Sequence, residues 1–514
     1  MIIFMSNIST TARSIPIHPF LISLMPILFL YQYNIREIPI QDIILPLIFS
    51  ISLIAAIWFV LKNFIGSTKS SLIISLVLLL LIIFSLVRLF FANHEAEHIQ
   101  FLGKNFILFP MISSICIIGI IFILRKKIPV KTTSIVNVMS VVIILILGFQ
   151  IMFYFISDDS QIKSLAEFVE IPIFQSSVID KPDVYFLLLD AYSGDVTLKN
   201  DNNFDNSEFK NKLKERGFFI PKTSFSNYPN TNLSMPSITN MVYLDSIANE
   251  LGKDSKVLTG MREIRNENNV MKIFKANGYH TTSFYGSDIN VATSKELLDD
   301  LLCGSMFNLD PELQRAFVYM YFPFSFSRAL FNDNMQYDRL ECTFSTILNL
   351  EKKNEKPLYM HAHLFFPHPP FVYDADGNRV AHPNTDDQFD PILREPYLQQ
   401  TIFANKKTIE MIDSIQKRDN NAVIIVMSDH GGRLGVDWYN PTEMDYYRAL
   451  ETLQAFYFPG QEENIPEEFA TVNVFRIFFN LYLDANYEIL EDRQFWNTTE
   501  KPFDLTDVTD KLMK

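Results

Sequence analysis

The stretch of sequence that decides the fold is Val184-Tyr-Phe-Leu-Leu-Leu-Asp190. A second stretch of the same kind, Val423-Ile-Ile-Val-Met-Ser-Asp429, is followed at once by His430-Gly-Gly. Each is a short apolar run that ends in an aspartate, as expected of a strand buried on both faces. In an open parallel sheet, ligands collect outside the carboxyl ends of the strands. The two aspartates are therefore predicted to meet His430 at one metal site.

The residues around these two runs alternate between short apolar strands and amphipathic helices. Such alternation is typical of a mostly parallel sheet that is covered by helices on both faces. We therefore predict an α/β domain. Its strands are expected at 184–190, 279–285, 357–364, 423–429 and 453–458, and its clearest helices at 206–216 and 396–417.

The first third of the 514-residue chain has the composition of a membrane protein. Each of five apolar stretches is close to the ~20 residues that cross a bilayer. The first is the weakest, because it contains His18 and several prolines. The spans are predicted at about 15–33, 41–62, 71–92, 105–124 and 135–157. The resulting division is a helical membrane domain over 1–157, a linker over 158–181 and the α/β domain over 182–514.

Basic residues between the spans predict which side of the membrane the α/β domain occupies. If the spans alternate, seven basic residues fall on one side and three on the other. Because basic loops stay in the cytoplasm, the amino terminus is predicted there. An odd number of spans then places the α/β domain outside the cytoplasm, in an inner or plasma membrane protein. The seven are Arg13, Lys62, Lys69, Arg125, Lys126, Lys127 and Lys131, and the three are Arg36, Arg88 and Lys104.

Net charge and cysteine content limit the classes of partner that we expect and the expected oxidation state of the cysteines. A net charge of −14 argues against a nucleic-acid partner, because no basic run is set apart from the acidic surface. Cys116 falls inside the fourth predicted span, whereas Cys303 and Cys342 fall in the outer domain, where oxidation is allowed. Spacing alone fits two unrelated thiols equally well. From the oxidising compartment we expect a Cys303–Cys342 disulfide.

The window Asn227-Tyr-Pro-Asn-Thr231-Asn-Leu-Ser234-Met-Pro236 places a hydroxyl beside a helix start. The residues before Thr231 are typical of a turn, and Pro236 suits the first turn of a helix that begins near Ser234. Free amides at a helix start attract an anion. A threonine hydroxyl becomes an effective nucleophile when a divalent cation activates it. Helix capping by Thr231 is the simpler interpretation of this window alone.

Three histidines cluster between His361 and His368, in a chain that has nine in total. His361 and His363 share one face of a predicted strand, and His368 follows among prolines. An imidazole can bind a metal ion, hold an anion or protonate a leaving group, and a hydrogen-bonded loop cluster is an equally good account. Arg433, just beyond His430, is a candidate to contact a phosphate oxygen, with a surface arginine as the alternative.

The order of these motifs resembles that of the alkaline phosphatase superfamily, in its sulfatase-like branch. The motifs are a strand that ends in Asp190, Thr231 at a helix start, the run from His363 to Phe371, and Ser428-Asp-His-Gly. They span about residues 182–485. The resemblance implies that a divalent metal ion is bound by Asp190, Thr231, Asp429 and His430, and that Thr231 is the nucleophile. It also implies that His363 and His368 contact the substrate or a second ion. A set of oxygen and nitrogen ligands fits Zn, which we expect first, and also Mn, Mg or Ca.

One departure from the family pattern decides the subclass. Type I sulfatases carry a Cys or Ser that matures to formylglycine and is followed by x-Pro-Ser-Arg, whereas this chain has Thr231-Asn-Leu-Ser234-Met235. The chain is similar to membrane-bound phosphoethanolamine and phosphoglycerol transferases, which use a threonine nucleophile, although their first metal carboxylate is often Glu and here it is Asp190. The resemblance implies transfer of a phospho-alcohol group from a membrane phospholipid donor to a glycan or lipid acceptor of the cell envelope. Hydrolysis of a sulfuric or phosphoric ester is the alternative.

A remote alternative comes from His94-Glu95-Ala-Glu97-His98, which matches the H-E-x-x-H pattern of zinc proteases. The pattern lies in a short loop between the third and fourth predicted spans, with no evident third ligand. A receptor or structural protein with an inactive domain is disfavoured, because the four key positions of the superfamily pattern are intact.

The charge bias of the loops makes a direct prediction about topology. Alkaline phosphatase fused after Lys163 should be active, because that enzyme needs the extracytoplasmic compartment, whereas a fluorescent protein at the same point should stay dark. The opposite result would place the α/β domain in the cytoplasm and remove its role in the cell envelope.

Overall fold

The computed structural model describes residues 15–33, 40–92, 105–256, 258–284, 296–303, 325–352, 355–381 and 389–512. Contacts divide the chain into two compact units, which are described separately below. One contains Met1–Asp159 and Leu309–Phe331, and the other contains Ser160–Asn308 and Asn332–Lys514. The domain boundaries at 157 and 181 stay predictions.

The first unit is built from apolar helices: α1 (His18–Tyr33), α2 (Ile40–Ile65), α3 (Ser67–Ala92), α4 (Asn105–Arg125) and α5 (Val130–Glu167), of which residues 160–167 belong to the second unit. Within the described residues, α1 has a shorter apolar stretch, His18–Gln32, and α5 continues past residue 157. The helical membrane domain is confirmed, whereas the predicted count of about five spans is approximate, because four helical segments are long enough to cross a membrane and α1 is shorter. The four helical segments that are long and apolar enough to cross a membrane are Ile43–Ile65, Ser67–Val87, Ile107–Arg125 and Lys131–Tyr154.

A six-stranded sheet lies at the centre of the second unit. Its strands are β1 (Val184–Leu189), β2 (His280–Phe284), β3 (Asp300–Leu302), β4 (Leu358–Leu364), β5 (Val423–Met427) and β6 (Gln454–Tyr457). The strand order is β3-β2-β4-β1-β5-β6. Neighbouring strands are parallel except β5 and β6, which are antiparallel. The predicted mostly parallel sheet is confirmed. The sequence did not indicate β3, which is only three residues long.

Helices and a small hairpin complete the second unit. The hairpin pairs β7 (Phe495–Trp496) with β8 (Thr506–Asp507). The helices predicted at 206–216 and 396–417 are α7 and α13 in the following list. The described helices are α6 (Asp195–Asn202), α7 (Ser207–Glu215), α8 (Thr231–Asn240), α9 (Asp245–Leu251), α10 (Thr259–Asn266), α11 (Asn269–Ala276), α12 (Ser325–Leu348), α13 (Arg394–Arg418), α14 (Glu443–Leu450), α15 (Val474–Leu483) and α16 (Thr509–Leu512).

Both faces of the sheet are covered by apolar cores, which explains why β1 is apolar throughout. Successive side chains of a strand point to opposite faces. Tyr185, Leu187 and Leu189 pack in the core that also contains residues of α13. Val184, Phe186 and Leu188 pack in the core that also contains residues of α11 and α15. A strand held on both faces is a rigid support for whatever follows its carboxyl end.

Cys303 and Cys342 form a disulfide, which confirms the expected pairing. The bond closes a loop with a sequence separation of 39 residues, whereas Cys116 is a free thiol. We expect Cys342→Ser to lower the free energy of unfolding by about 4 kcal/mol, the loop-closure value for this length. Thermal melting should show this loss, and Cys116→Ala should melt like the wild type. A Cys342→Ser variant with unchanged melting would contradict the prediction.

Candidate metal centre and nucleophile

The carboxyl ends of three adjacent strands bring the predicted ligands together. β1 lies between β4 and β5, and Leu188 is in register with both His363 and Met427. Asp190 follows β1 directly, and Asp429 lies two residues beyond β5. The parallel register therefore places Asp190, Asp429 and His363 at one edge of the sheet, where the sequence predicted that the two aspartates meet.

Asp190, Asp429 and His430 form a buried group whose ligand atoms all lie within 4.8 Å of one another. The Nε2 atom of His430 is 3.5 Å from Oδ1 of Asp190 and 3.4 Å from Oδ2 of Asp429. Both carboxylate oxygens of Asp190, and Oδ2 of Asp429, lack a hydrogen-bond partner among the described residues. Burying a carboxylate oxygen without a hydrogen bond is costly. These side chains fit a divalent cation, which would bind those oxygens directly.

The electrostatics of the group also favour a cation. Burial raises the pKa of Asp429, and the negative charge of Asp190 raises it further. For Asp190, burial is opposed by His368, His363 and His430, which together lower its pKa below the ordinary value. Two like charges this close resist simultaneous ionisation unless a positive charge lies between them. Burial also lowers the pKa of His430 well below its usual range, which keeps the imidazole in its neutral, metal-binding form.

The His430 ring is held in one tautomer with its free nitrogen directed at Thr231. Its Nδ1 atom is 2.8 Å from the carbonyl oxygen of Gly431, so it carries the proton and donates. Its Nε2 atom then accepts from the hydroxyl of Thr231, whose Oγ1 lies 3.1 Å away. Thr231 is only half-buried, whereas the other three residues are buried. The hydroxyl thus lies at the boundary between the buried acidic group and solvent.

The helix that carries Thr231 begins earlier than the sequence predicted. α8 starts at Thr231 itself, because the carbonyl of Asn230 already accepts from the amides of Leu233 and Ser234. The prediction that the helix begins near Ser234 was wrong, and Pro236 lies inside the helix rather than in its first turn. The earlier start places Thr231 in the first turn, where its backbone amide is free of helical bonds.

The remaining predicted residues surround this centre. His363 Nε2 is 3.3 Å from Oδ2 of Asp190. The backbone amide of His368 donates to the carbonyl of Asp190 at 3.1 Å, and burial lowers the pKa of this histidine. Arg433 has a positive φ of 61° and lies over the ring of Phe389, with 4.5 Å from Cζ to the ring centroid. The alternative zinc motif, His94 to His98, lies outside the described residues.

Two glycines allow the loop after His430 to pack tightly. A Cβ on Gly431 would lie 2.3 Å from the carbonyl oxygen of Arg448, which belongs to the backbone of α14. A Cβ on Gly432 would lie 2.7 Å from Oγ of Ser193 and 3.0 Å from the hydroxyl of Tyr397. A side chain at either position would push the loop, and His430 with it, away from Asp190 and Asp429.

Sequence reasoning missed three residues that contact the loops of this centre: Ser193, Tyr397 and Gln400. Ser193 lies in the loop after Asp190, and its position just beyond a strand end was an available signal. Tyr397 and Gln400 lie on α13 and are buried. No sequence pattern marks these two residues. They contact the loops only because α13 packs against this edge of the sheet.

The fold and the acidic group at the strand ends define a metal-dependent, sulfatase-like enzyme of the alkaline phosphatase superfamily. A model of the Sulfatase family matches residues 182–475, more than half of the chain, and the chain belongs to that family. A search of curated proteins gives no match.

Several solved structures are similar to this chain at low sequence identity. The C-terminal periplasmic domain of EptC from Escherichia coli is 12% identical, with a TM-score of 0.42 over 67% of this chain and 98% of that one. The lipooligosaccharide phosphoethanolamine transferase EptA from Neisseria meningitidis is 13% identical, with a TM-score of 0.38 over 90% and 95%. A phosphonate monoester hydrolase of Agrobacterium radiobacter is 10% identical, with a TM-score of 0.39 over 62% and 80%.

The contact of Gly431 with α14 generates a prediction. Gly431→Ala should lower turnover by roughly 10-fold or more, as expected when the supports of a metal ligand shift. Gly260→Ala is the matched control, because the close contact of its Cβ is with a terminal methyl of Leu165, at 2.5 Å, which can rotate away. Steady-state rates of the two purified variants test this. Equal rates for Gly431→Ala and wild type would show that the close approach does not position His430.

Proposed function

We propose that the chain transfers a phospho-alcohol group, phosphoethanolamine or phosphoglycerol, from a membrane phospholipid to a glycan or lipid acceptor of the cell envelope. The observation that carries this proposal is the 3.1 Å contact between Thr231 Oγ1 and His430 Nε2, at the edge of a buried acidic group. A threonine cannot mature to formylglycine, so the nucleophile is the hydroxyl itself. The protein is proposed to reside in the inner or plasma membrane, with residues 182–514 on the extracytoplasmic side.

The metal ligands in this proposal are Asp190, Asp429, His430 and Thr231. A divalent cation held there, Zn first and Mn, Mg or Ca as alternatives, would stabilise the threonine alkoxide at neutral pH and the charge that develops on the phosphoryl group. No thiolate is among these ligands, and the oxygen and nitrogen donors suit all four metals.

The reaction proposed for these residues proceeds in two displacements. The Oγ1 atom of Thr231 forms a bond to the phosphorus of the lipid, and the bond from phosphorus to the diacylglycerol oxygen breaks. Diacylglycerol leaves with a proton, and the phospho-alcohol group remains esterified to Thr231. An acceptor hydroxyl then attacks the same phosphorus, and Thr231 recovers its proton. His363, His368 and Arg433 are proposed to contact the phosphoryl oxygens or a second ion, because they lie around Asp190 on the same edge of the sheet.

Full-length protein in lipid nanodiscs tests the proposal. With phosphatidylethanolamine or phosphatidylglycerol as donor, we expect diacylglycerol release and a matching mass addition on Thr231. Thr231→Ala should abolish the mass addition and lower the rate of diacylglycerol release by about 10²-fold or more. Chelation of divalent metal should have the same effects. Thr239→Ala is the matched control on the same helix, because the Thr239 hydroxyl only donates to the carbonyl of Met235.

The same experiment separates the transferase from the alternatives. Steady diacylglycerol release with free phospho-alcohol as the product would identify a phosphoric ester hydrolase. Cleavage of soluble sulfate esters alone would identify a sulfatase. Full diacylglycerol release by Thr231→Ala would show that Thr231 is not the nucleophile. A proteolytic activity that is lost on substitution of His94 would favour the protease alternative.

A further inference from the structure

Helix α13 presents two buried polar side chains, Tyr397 and Gln400, to the edge of the sheet that carries the candidate metal centre. Three positions separate them, so they lie on one face of the helix. The hydrogen bonds described for the two side chains go to residues around the acidic group rather than to its carboxylates. Their hydrogen bonds reach the backbone of the loops that carry it.

Tyr397 joins the loop after Asp190 to the loop after His430. Its hydroxyl donates to the carbonyl of Ala191 at 2.8 Å and accepts from the amide of Ser193 at 2.8 Å. The same hydroxyl is 3.0 Å from Oγ of Ser193, which in turn accepts from the amide of Gly432 at 3.0 Å. Through Ser193, the Tyr397 hydroxyl therefore connects the loop after Asp190 to the loop after His430.

The loop after Asp190 needs such support because Ala191 has a left-handed backbone, with a φ of 60°. This region is unfavourable for a residue with a Cβ atom and persists only where the surroundings hold it. The bond from Tyr397 to the Ala191 carbonyl fixes the peptide that joins Ala191 to Tyr192. It thereby holds the left-handed residue that comes directly after Asp190.

Gln400 holds the third loop, which carries His368. Its Oε1 accepts from the amides of Val372 at 2.8 Å and Tyr373 at 3.3 Å. Its Nε2 donates to the carbonyls of Pro367 and His368, both at 3.2 Å. The buried amide is thus fully hydrogen-bonded, and every partner belongs to the backbone of this one loop.

We propose that Tyr397 and Gln400 are positioning residues with separate tasks. Tyr397 sets the spacing between Asp190 and His430 and so governs metal affinity, whereas Gln400 sets the position of His368 and so governs the handling of substrate. This inference rests on the proposed metal site. A helix that packs only for stability would affect both properties equally through unfolding.

Titration of Zn²⁺ into metal-free, full-length protein, in competition with a chromogenic chelator, tests the first task. Tyr397→Phe should weaken Zn²⁺ binding by roughly 10-fold, in the range typical of residues that orient metal ligands. The matched control is Tyr457→Phe, which also loses a bond from a buried phenol to a backbone carbonyl, that of Asn420 at 2.9 Å, at the opposite end of β5. It should melt at a lower temperature and still bind Zn²⁺ like the wild type.

Gln400→Leu tests the second task. It should keep wild-type Zn²⁺ affinity and lower kcat/KM for diacylglycerol release by roughly 10-fold, because the loop of His368 loses its supports. If Tyr397→Phe does not fold, Ser193→Ala replaces it, since it breaks the link to Gly432 with a smaller change.

A further variant, Asp429→Asn, distinguishes failure of the positioning roles from failure of the metal site itself. Asp429→Asn should abolish Zn²⁺ binding, and retained binding in that variant would overturn the proposed site. If Asp429→Asn loses Zn²⁺ but Tyr397→Phe, or its substitute Ser193→Ala, binds as tightly as the wild type, the positioning role of Tyr397 is wrong. If Gln400→Leu loses Zn²⁺ affinity together with activity, or keeps wild-type kcat/KM, its separate role is wrong.

Discussion

The repulsion between two buried carboxylates, Asp190 and Asp429, is the constraint on which the rest of the site depends. At an effective dielectric constant of 20, two like charges 4 Å apart repel by about 4 kcal/mol, and burial adds a desolvation cost. Three histidines and the guanidinium of Arg433 lie around the pair, and oxygens of both carboxylates have no hydrogen-bond partner among the described residues, which leaves them available to a cation. The strands and loops around Asp190 and Asp429 hold the two carboxylates close together despite that repulsion.

Rigid supports make this closeness possible. β1 is held by parallel neighbours on both sides and by apolar cores on both faces, so its carboxyl end cannot yield to the repulsion. Beyond the strand ends, the chain relies on close packing of loops. Gly431 and Gly432 let the loop after His430 approach α14 and Ser193, and the hydrogen bonds of Tyr397 and Gln400 fix the loops from the other side.

The sequence predicted the parts of this arrangement that depend on local pattern. The apolar runs that end in Asp190 and Asp429 located two strands and the edge at which their ends meet, and the amphipathic period located α13. It did not predict the start of α8, because the first turn is decided by backbone bonds to Asn230, nor β3, which is too short to show a pattern. Tyr397 could not be recognised either, since its neighbours are up to 206 positions away in sequence.

A gradient of burial across the site separates its chemical roles. The carboxylates and His430 lie where water is excluded, so their interactions with a cation are not weakened by solvent. Thr231 lies half-buried at the start of α8, where an ester can approach its hydroxyl from the solvent side. In the proposed transfer, a bulky leaving group such as diacylglycerol would stay outside the buried group while the phosphate reaches Thr231. The charges of the protein therefore need not move when the substrate binds, and fixed charges of this kind stabilise a transition state without a reorganisation cost.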